Sequence, residues 1–351
     1  MIRIIDIDKP EEWDELVRQL PNHDVYYLSG YVKAFACHGD GHPILLWWEC
    51  DDVKGACVLM IRDIADDPRF ATMEKGKIFD AVTPYGYGGF IFNANPGAHR
   101  LNLLRRELLE ALSDKNVISV FFRFHPVLEN APLSRELCDV IDLGKTISLD
   151  LSDDETIWAN LTSKNRNMIR KAEKSGVEIF HDNGFQLLLK FKEIYDETMR
   201  NDNADDYYFF GEDFYKSLSE DLKDNYEIFY AALDGEIISM AIFLFDNDQL
   251  HYHLSGSLKN YRNLAPSNLL LYKVALWGRG KGYKSLHLGG GVGSGADSLY
   301  KFKAAFNRNS TNQFSIGKLI VDQTAYNELV EIRKLSEDFN INSTFFPLYR
   351  S

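Results

Sequence analysis

Two arginines, Arg166 and Arg170, stand four positions apart in the stretch KNRNMIRKAEK at 164–174. On a helix this spacing puts both guanidinium groups on one face, with Lys164 beside them. Planar forks so placed can grip a pyrophosphate bidentately. A solvated basic face has the same pattern, and the residues alone leave both readings open. Near the C-terminus an aromatic and a cation are adjacent, Phe302-Lys303. Such a pair can stack on a single-stranded base and place a charge beside it, or it can be a core Phe with an exposed Lys. Tyr85 and Tyr87 lie among Gly86, Gly88 and Gly89 in TPYGYGGF at 83–90. The glycines allow a tight turn or a close approach of ligand, where the phenols could reach an acceptor. His251, Tyr252 and His253 alternate on an expected strand, so both histidines should face one way. Either could titrate near neutrality, although hydrogen-bonding roles within the fold are the plainer reading.

The stretch SLHLGGGVGSGADSLYKFKAAF at 285–306 resembles a phosphate cradle but is not one. Gly291, Gly293 and Gly295 alternate, which breaks the G-x-G-x-x-G spacing. Ala296-Asp297-Ser298 stands where a P-loop needs Gly-Lys-Ser/Thr. The expected role of 289–295 is a wall of an acyl or acceptor channel, where glycine lets strands splay and a substrate backbone come close.

The net charge of −13 over 351 residues argues against a broad nucleic-acid footprint. Two cationic islands stand out from it. No Asp or Glu lies between Asp248 and Asp297, a stretch that carries Lys259, Arg262, Lys273, Arg279, Lys281 and Lys284; the second island is 164–174. That distribution suits a compact anionic ligand. Cys37, Cys50, Cys57 and Cys138 show no C-x-x-C and no metal spacing, as expected of reduced thiols in a cytoplasmic protein without a metal site. The opening MIRIIDIDKPEEW has no signal-type apolar core, and no run is long enough to span a bilayer.

The elements that must position these residues follow one pattern, used twice. Strands at 43–49 and 56–61 flank a turn at 50–55. Strands at 226–233 and 237–245 flank Asp234-Gly235-Glu236. Each hairpin is followed by a strand (77–83; 249–255), a loop, a helix (99–113; 267–279) and a short strand (118–124; 285–288). Leu101, Leu104, Leu108 and Leu112 give the first helix its apolar stripe. Further helices are expected at 156–175, ending at Gly176 as a C′ glycine, and at 185–198. The expected class is α/β, with mixed α+β sheets in two tandem domains: 1–145, onto which 325–351 packs back, and 146–324.

This order resembles the GNAT N-acyltransferase fold, duplicated. The segment from Trp158 through Arg166 and Arg170 to Gly176-Val177 is similar to the "W..l..k.R..irkA.k.Gv" signature of Fem-type peptidyltransferases. Arg262-Asn-Leu-Ala-Pro266, Gly282-Tyr-Lys-Ser-Leu-His-Leu-Gly-Gly and Leu299-Tyr-Lys-Phe302-Lys303 continue the likeness. Residues 83–90 resemble the family's "P.YGYGG" variant. The coiled-coil arm of some members is absent, and the family's N-terminal "W…K" segment is blurred at Tyr31-Val-Lys33.

The resemblance implies an enzyme that passes an aminoacyl group to an amine of a peptidoglycan or other cell-envelope precursor. The acceptor would be a nucleotide-sugar or lipid-linked molecule. Aminoacyl-tRNA or acyl-CoA would serve as co-substrate, with no tightly bound cofactor and no DNA partner. It implies that Arg166, Arg170 and Lys164 face acceptor phosphates, that Phe302 contacts the terminal adenosine of a tRNA acceptor end, and that Lys303 lies by the reacting ester. Tyr85, Tyr87, Arg262, Tyr252, His253 and Lys33 complete the expected substrate-binding set. Because the donor is already activated, orientation and oxyanion stabilisation suffice, which fits a chain with no Ser/His/Asp or Cys/His motif. Two other functions remain open. One is acyl-CoA-dependent N-acetylation of an amino sugar for a surface polysaccharide. The other is a binding module that has lost its chemistry.

Overall fold

The computed structural model describes residues 1–351. The chain forms two units: Met1–Leu143 with Phe314–Ser351, and Gly144–Gln313. The return to the first unit thus begins at Phe314 and not near 325, because a late strand already belongs to the first sheet.

The first unit runs β1 (Ile2–Asp6), α1 (Pro10–Val17), α2 (Ser29–His38), β2 (His42–Cys50), β3 (Val53–Asp63), β4 (Phe79–Val82), β5 (Ile91–Phe92), α3 (Gly97–Ser113), β6 (Val117–Arg123) and α4 (Ala131–Ser134). After β7 (Asp139–Asp150) the second unit follows with α5 (Asp154–Asn160), α6 (Ser163–Lys174), β8 (Glu178–Asp182), α7 (Phe185–Asn201), α8 (Glu212–Asp221), β9 (Tyr226–Leu233), β10 (Glu236–Asp246) and β11 (Gln249–Ser257). It continues with α9 (Pro266–Lys281), β12 (Ser285–Gly289) and α10 (Ser298–Ala304), before β13 (Asn312–Ile320) and α11 (Gln323–Arg333).

In the first unit the strand order is β1-β2-β3-β4-β6-β13; in the second it is β8-β9-β10-β11-β12-β7. Each has an antiparallel run of four strands, a helix crossing over, and a parallel neighbour: β6 beside β4, and β12 beside β11. The duplication read from the sequence is therefore present in the connectivity. Each sheet ends on a strand that does not follow its neighbour in the chain: β13 pairs with β6, and β7 pairs with β12.

Local chemistry explains the elements. The β9–β10 hairpin turns on Asp234 (φ 50°) and Gly235 (φ 83°), the left-handed pair that a two-residue hairpin with the natural strand twist requires. On α3 the four leucines are buried against Val120 and Phe122 of β6 and Phe124 just after it. On α9, Leu269, Leu270, Leu271, Val274 and Ala275 bury against Leu286 and Leu288 of β12 and Phe229 and Phe243 of the hairpin. Removing large apolar side chains of this kind from water contributes about 1.5–3 kcal/mol each, so these two helices anchor their sheets.

The helix expected at 156–175 is two helices. Leu161 and Thr162 are extended (ψ 141° and 153°), and the Thr162 hydroxyl caps α6 by accepting from Asn165 N at 3.2 Å. A hydroxyl that satisfies a first-turn amide starts a new helix in place of continuing the old one. Gly176 does close α6 at φ 82°. No helix is long and apolar enough to cross a membrane.

Candidate functional site

Strands β11 and β12 are parallel partners only from Gln249↔Ser285 to His251↔His287. Beyond that point the parallel ladder opens: residues 252–257 have no partner in β12. Two features accompany this opening. In β11, Ile242 pairs with Leu254 and Phe243 with Tyr252, so His253 is the extra residue of a bulge. A bulge bends its strand and reverses the alternation beyond it. Tyr252 still packs on the α9 side of the sheet, whereas Gly256 lies against α7, where an added Cβ would come within 2.9 Å of the Ile194 carbonyl. The bulge interrupts the strict alternation expected of His251, Tyr252 and His253. Burial, and His251 beside it, lower the His253 pKa to about 3, so it stays neutral and is not poised as a base near neutrality.

The second feature is the glycine run. It is a closed loop in which the Val292 and Gly295 amides are engaged. Asp297 caps α10 by accepting from Tyr300 N at 2.8 Å, and its other oxygen accepts from Val292 N at 3.2 Å. Gly295 N donates to Val292 O. A Cβ on Gly291 would fall 2.3 Å from Asp297 Oδ1, so only glycine permits this closure. The loop leaves the Gly290 carbonyl just past the end of β12, where the ladder opens.

There Lys303 is found. Its Nζ donates to Gly290 O at 2.8 Å from a half-buried side chain. Desolvation lowers its pKa to about 8, and only Asp297 opposes the shift. Lys303 is therefore still cationic at pH 7 but unusually ready to give up its proton. Its neighbour Phe302 packs edge-on to Phe306 (5.4 Å between centroids) and against the unit's core, which leaves its ring half-buried and not splayed out as a free stacking platform.

The α6 residues are organised around one side chain. Arg166 donates through Nη1 to the Trp158 carbonyl and through Nη2 to Ser163 Oγ, both at 3.3 Å, while the Arg170 guanidinium rides 5.1 Å over the Trp158 ring. The two arginines are thus held by Trp158 and do not form a bare pair of forks; Lys164 and Arg170 are exposed. Arg262 is also exposed, facing Asp202 at 3.7 Å. Sequence reasoning missed Asn165. Buried on α6, it donates to Ala305 O at the end of α10 and accepts from Asn268 of α9, tying together the three helices that carry the candidate residues. A lone amide on the stripe that also holds Ile169 and Ala172 was the available signal.

In the first unit, Tyr85 and Tyr87 belong to a packed loop. Tyr31 donates to the Tyr85 carbonyl at 2.6 Å, Tyr85 stacks on Phe35, and Tyr26 meets Tyr87 edge-on. Burial pushes the Tyr87 phenol well above its ordinary pKa. Gly86 (φ 84°) leaves no room for a Cβ beside the Tyr26 ring. The loop is sewn to β6, with Gly88 donating to the Arg123 carbonyl at 2.7 Å, so the opening seen beside β12 has no counterpart here. Lys33 is half-buried on α2, the helix that also carries Phe35.

Residues 160–304 match the family model of the acetyltransferase (GNAT) domain. That match covers most of the second unit. No curated protein matches the sequence. Among solved structures the chain is similar to FemX, at 15% identity over 93% of this chain and 99% of that one, with a TM-score of 0.68. It is also similar to a conserved protein of unknown function from Bacteroides thetaiotaomicron VPI-5482 (12%, 91% and 100%, 0.60) and to L-PGS from Bacillus licheniformis (14%, 93% and 96%, 0.54). At these identities the likeness is one of fold, and it runs the length of both units. The opening between β11 and β12, the helix α9 and the Lys303 loop all lie within the GNAT match or at its edge.

Proposed function

We propose that the protein transfers an aminoacyl group from aminoacyl-tRNA to a primary amine of a cell-envelope precursor, with the reacting carbonyl in the opening between β11 and β12. The observation that carries this reading is Lys303: a cation desolvated at the mouth of a parted strand pair, in a GNAT domain that offers no nucleophile. The attacking amine must be neutral, so a cation belongs beside the developing oxyanion or the leaving 3′ oxygen and not beside the nucleophile. The amine adds to the ester carbonyl, the tetrahedral oxyanion is held by the Lys303 charge, and the C–O bond breaks as the proton given up by the amine passes to the ribose oxygen, which leaves as a hydroxyl. Phe302 and Arg262 serve the donor. Lys164, Arg166 and Arg170, with Tyr252 and His253 along β11, serve the acceptor. FemX and L-PGS, to which the chain is similar in fold, suit an acceptor from the cell envelope.

GNAT domains commonly take acyl-CoA, whose pyrophosphate needs a string of free backbone amides before the crossover helix. Here Pro266 at the first position of α9 has no N–H, the Ala265 amide donates to Arg262 O, and the Asn268 and Leu269 amides both return to Ala265 O. The turn thus offers a pyrophosphate little, and this favours aminoacyl-tRNA. Acetylation of an amino sugar from acyl-CoA is the alternative. Labelled aminoacyl-tRNA and labelled acyl-CoA, each incubated with wild type and Lys303→Met, decide between them. Transfer from tRNA that fails in the variant is expected; transfer from acyl-CoA alone would replace the donor, and transfer from neither would remove the reading.

A further inference from the structure

The first unit holds a second pocket whose chemistry acyl transfer does not use. Strands β3, β4, β6 and β13 carry the cross-strand pairs Arg62↔Asp80, Phe121↔Lys318 and Arg123↔Ile316. The segment 343–350 folds over them and leaves a pocket of about 350 Å3. Four cations line it, Arg62, Arg123, Lys318 and Arg350, with Phe121 and Phe346 among its apolar walls; no Asp or Glu does.

The cations are held in place. The buried Asp80 accepts from Arg62 Nε at 2.8 Å and from Arg350 Nε at 2.5 Å, and Asp67 accepts from Arg350 Nη1 at 3.0 Å. One fully buried carboxylate therefore holds two guanidinium groups, and Arg350 Nη2 donates to it as well at 3.2 Å. The Arg123 guanidinium lies 5.2 Å over the Phe121 ring, and the Lys318 ammonium 5.7 Å over the Phe346 ring. Lys318 Nζ donates to the Thr344 carbonyl at 3.3 Å and meets no carboxylate. Asp80 and Asp67 offset the charge of Arg350, and the guanidinium groups of Arg62 and Arg123 with the Lys318 ammonium among them match the oxygens of a tetrahedral anion. The volume lies at the lower end for ligand pockets and suits a single compact group. At the rim Phe345 is 57% exposed, an apolar surface beside the charge.

We infer that this pocket binds the phosphate of a compact organic phosphate ester, with the apolar part of the ester resting on Phe345 and Phe346. A small free ester and a lipid headgroup share this chemistry, and two probes separate them. Calorimetric titration with phenyl phosphate and with inorganic phosphate tests the free ester. Co-sedimentation with phosphatidylglycerol vesicles, against phosphatidylcholine vesicles, tests the lipid. Phenyl phosphate should bind wild type more tightly than inorganic phosphate, and Lys318→Met should weaken it at least about tenfold, the loss expected for one charge-assisted bond. Phe345→Ser should weaken phenyl phosphate and leave inorganic phosphate unchanged, and Lys318→Arg should restore most of the affinity. Sedimentation with phosphatidylglycerol alone, lost in both Lys318→Met and Phe345→Ser, would support the pocket and assign it to lipid. Should Lys318→Met fail to fold, the exposed Phe345→Ser carries the test. Binding of neither probe, or binding indifferent to both substitutions, overturns the inference. Lys303 is untouched by these variants, so acyl transfer should persist in them.

Discussion

At the scale of residues, Lys303 is where stability and function oppose each other. Its pKa of about 8 in the folded chain lies below the ordinary 10.5. Between those values the unfolded chain binds more protons than the native one, so this group's contribution to stability rises with pH across that window. Below pH 8 the native state bears the whole cost of burying the charge. Lys303→Met keeps the apolar stem and removes the charge. It should raise stability at pH 7 by roughly 1–2 kcal/mol after the lost bond to Gly290 is counted, and the gain should vanish by about pH 10. Urea titrations at pH 7 and pH 10 measure this. Turnover of the same variant should fall about a hundredfold or more, the scale of losing an oxyanion partner, with acceptor affinity nearly unchanged. A raised acceptor KM at normal turnover would move Lys303 to the acceptor side. In wild type, turnover should decline on the alkaline side as Lys303 loses its proton near pH 8; a rate that climbs through the same pH would make Lys303 a base.

At the scale of elements, the loop between β12 and α10 sets the field around that lysine. Asp297 is both the cap of α10 and the one charge that raises the Lys303 pKa. Asp297→Asn keeps an acceptor for Tyr300 N and removes the charge, so the helix should persist while the alkaline limb of the pH–rate profile moves to lower pH. Asp297→Ala should add the loss of a cap, about 1 kcal/mol, visible as a lower unfolding midpoint. An unmoved limb in Asp297→Asn would detach Asp297 from Lys303. Much at this scale was legible. The hairpins announce themselves through Asp234-Gly235, and α3 through its leucines, because local rules of turn and period act within a few residues. The bulge at His253 was not legible: nothing in HYH marks the residue that a neighbouring strand will leave unpaired. Nor was the engagement of Arg166 and Arg170 by Trp158, since spacing fixes the face of a helix but not what the face meets.

At the scale of the whole molecule, the exchange of closing strands was the least legible feature, because pairing between residues nearly two hundred positions apart leaves no local signature. It also makes the strongest claim about folding. β6 is completed by β13 from Ser119↔Ile320 to Arg123↔Ile316, and the segment after α11 buries Tyr349, whose hydroxyl meets Ser119 and Asp80. A fragment of residues 1–143 would lack all of this. Its β6 would be an open edge of apolar residues, a template for self-association. Its Asp80 would keep Arg62 but lose Arg350 and Tyr349, and breaking a buried pair costs about 3–5 kcal/mol. The fragment should therefore aggregate when expressed alone. Supplying residues 314–351 as a second chain restores both the strand and the buried ion pairs, so co-expression should yield a soluble complex that elutes as a single species. In the intact protein, Arg350→Met should cost about 3 kcal/mol by the same argument, read as a lowered urea midpoint. A fragment 1–143 that is soluble, monomeric and cooperative in thermal unfolding would show that the first unit closes without its distant strand, and the account of its fold given by the β6–β13 pairing would have to be abandoned.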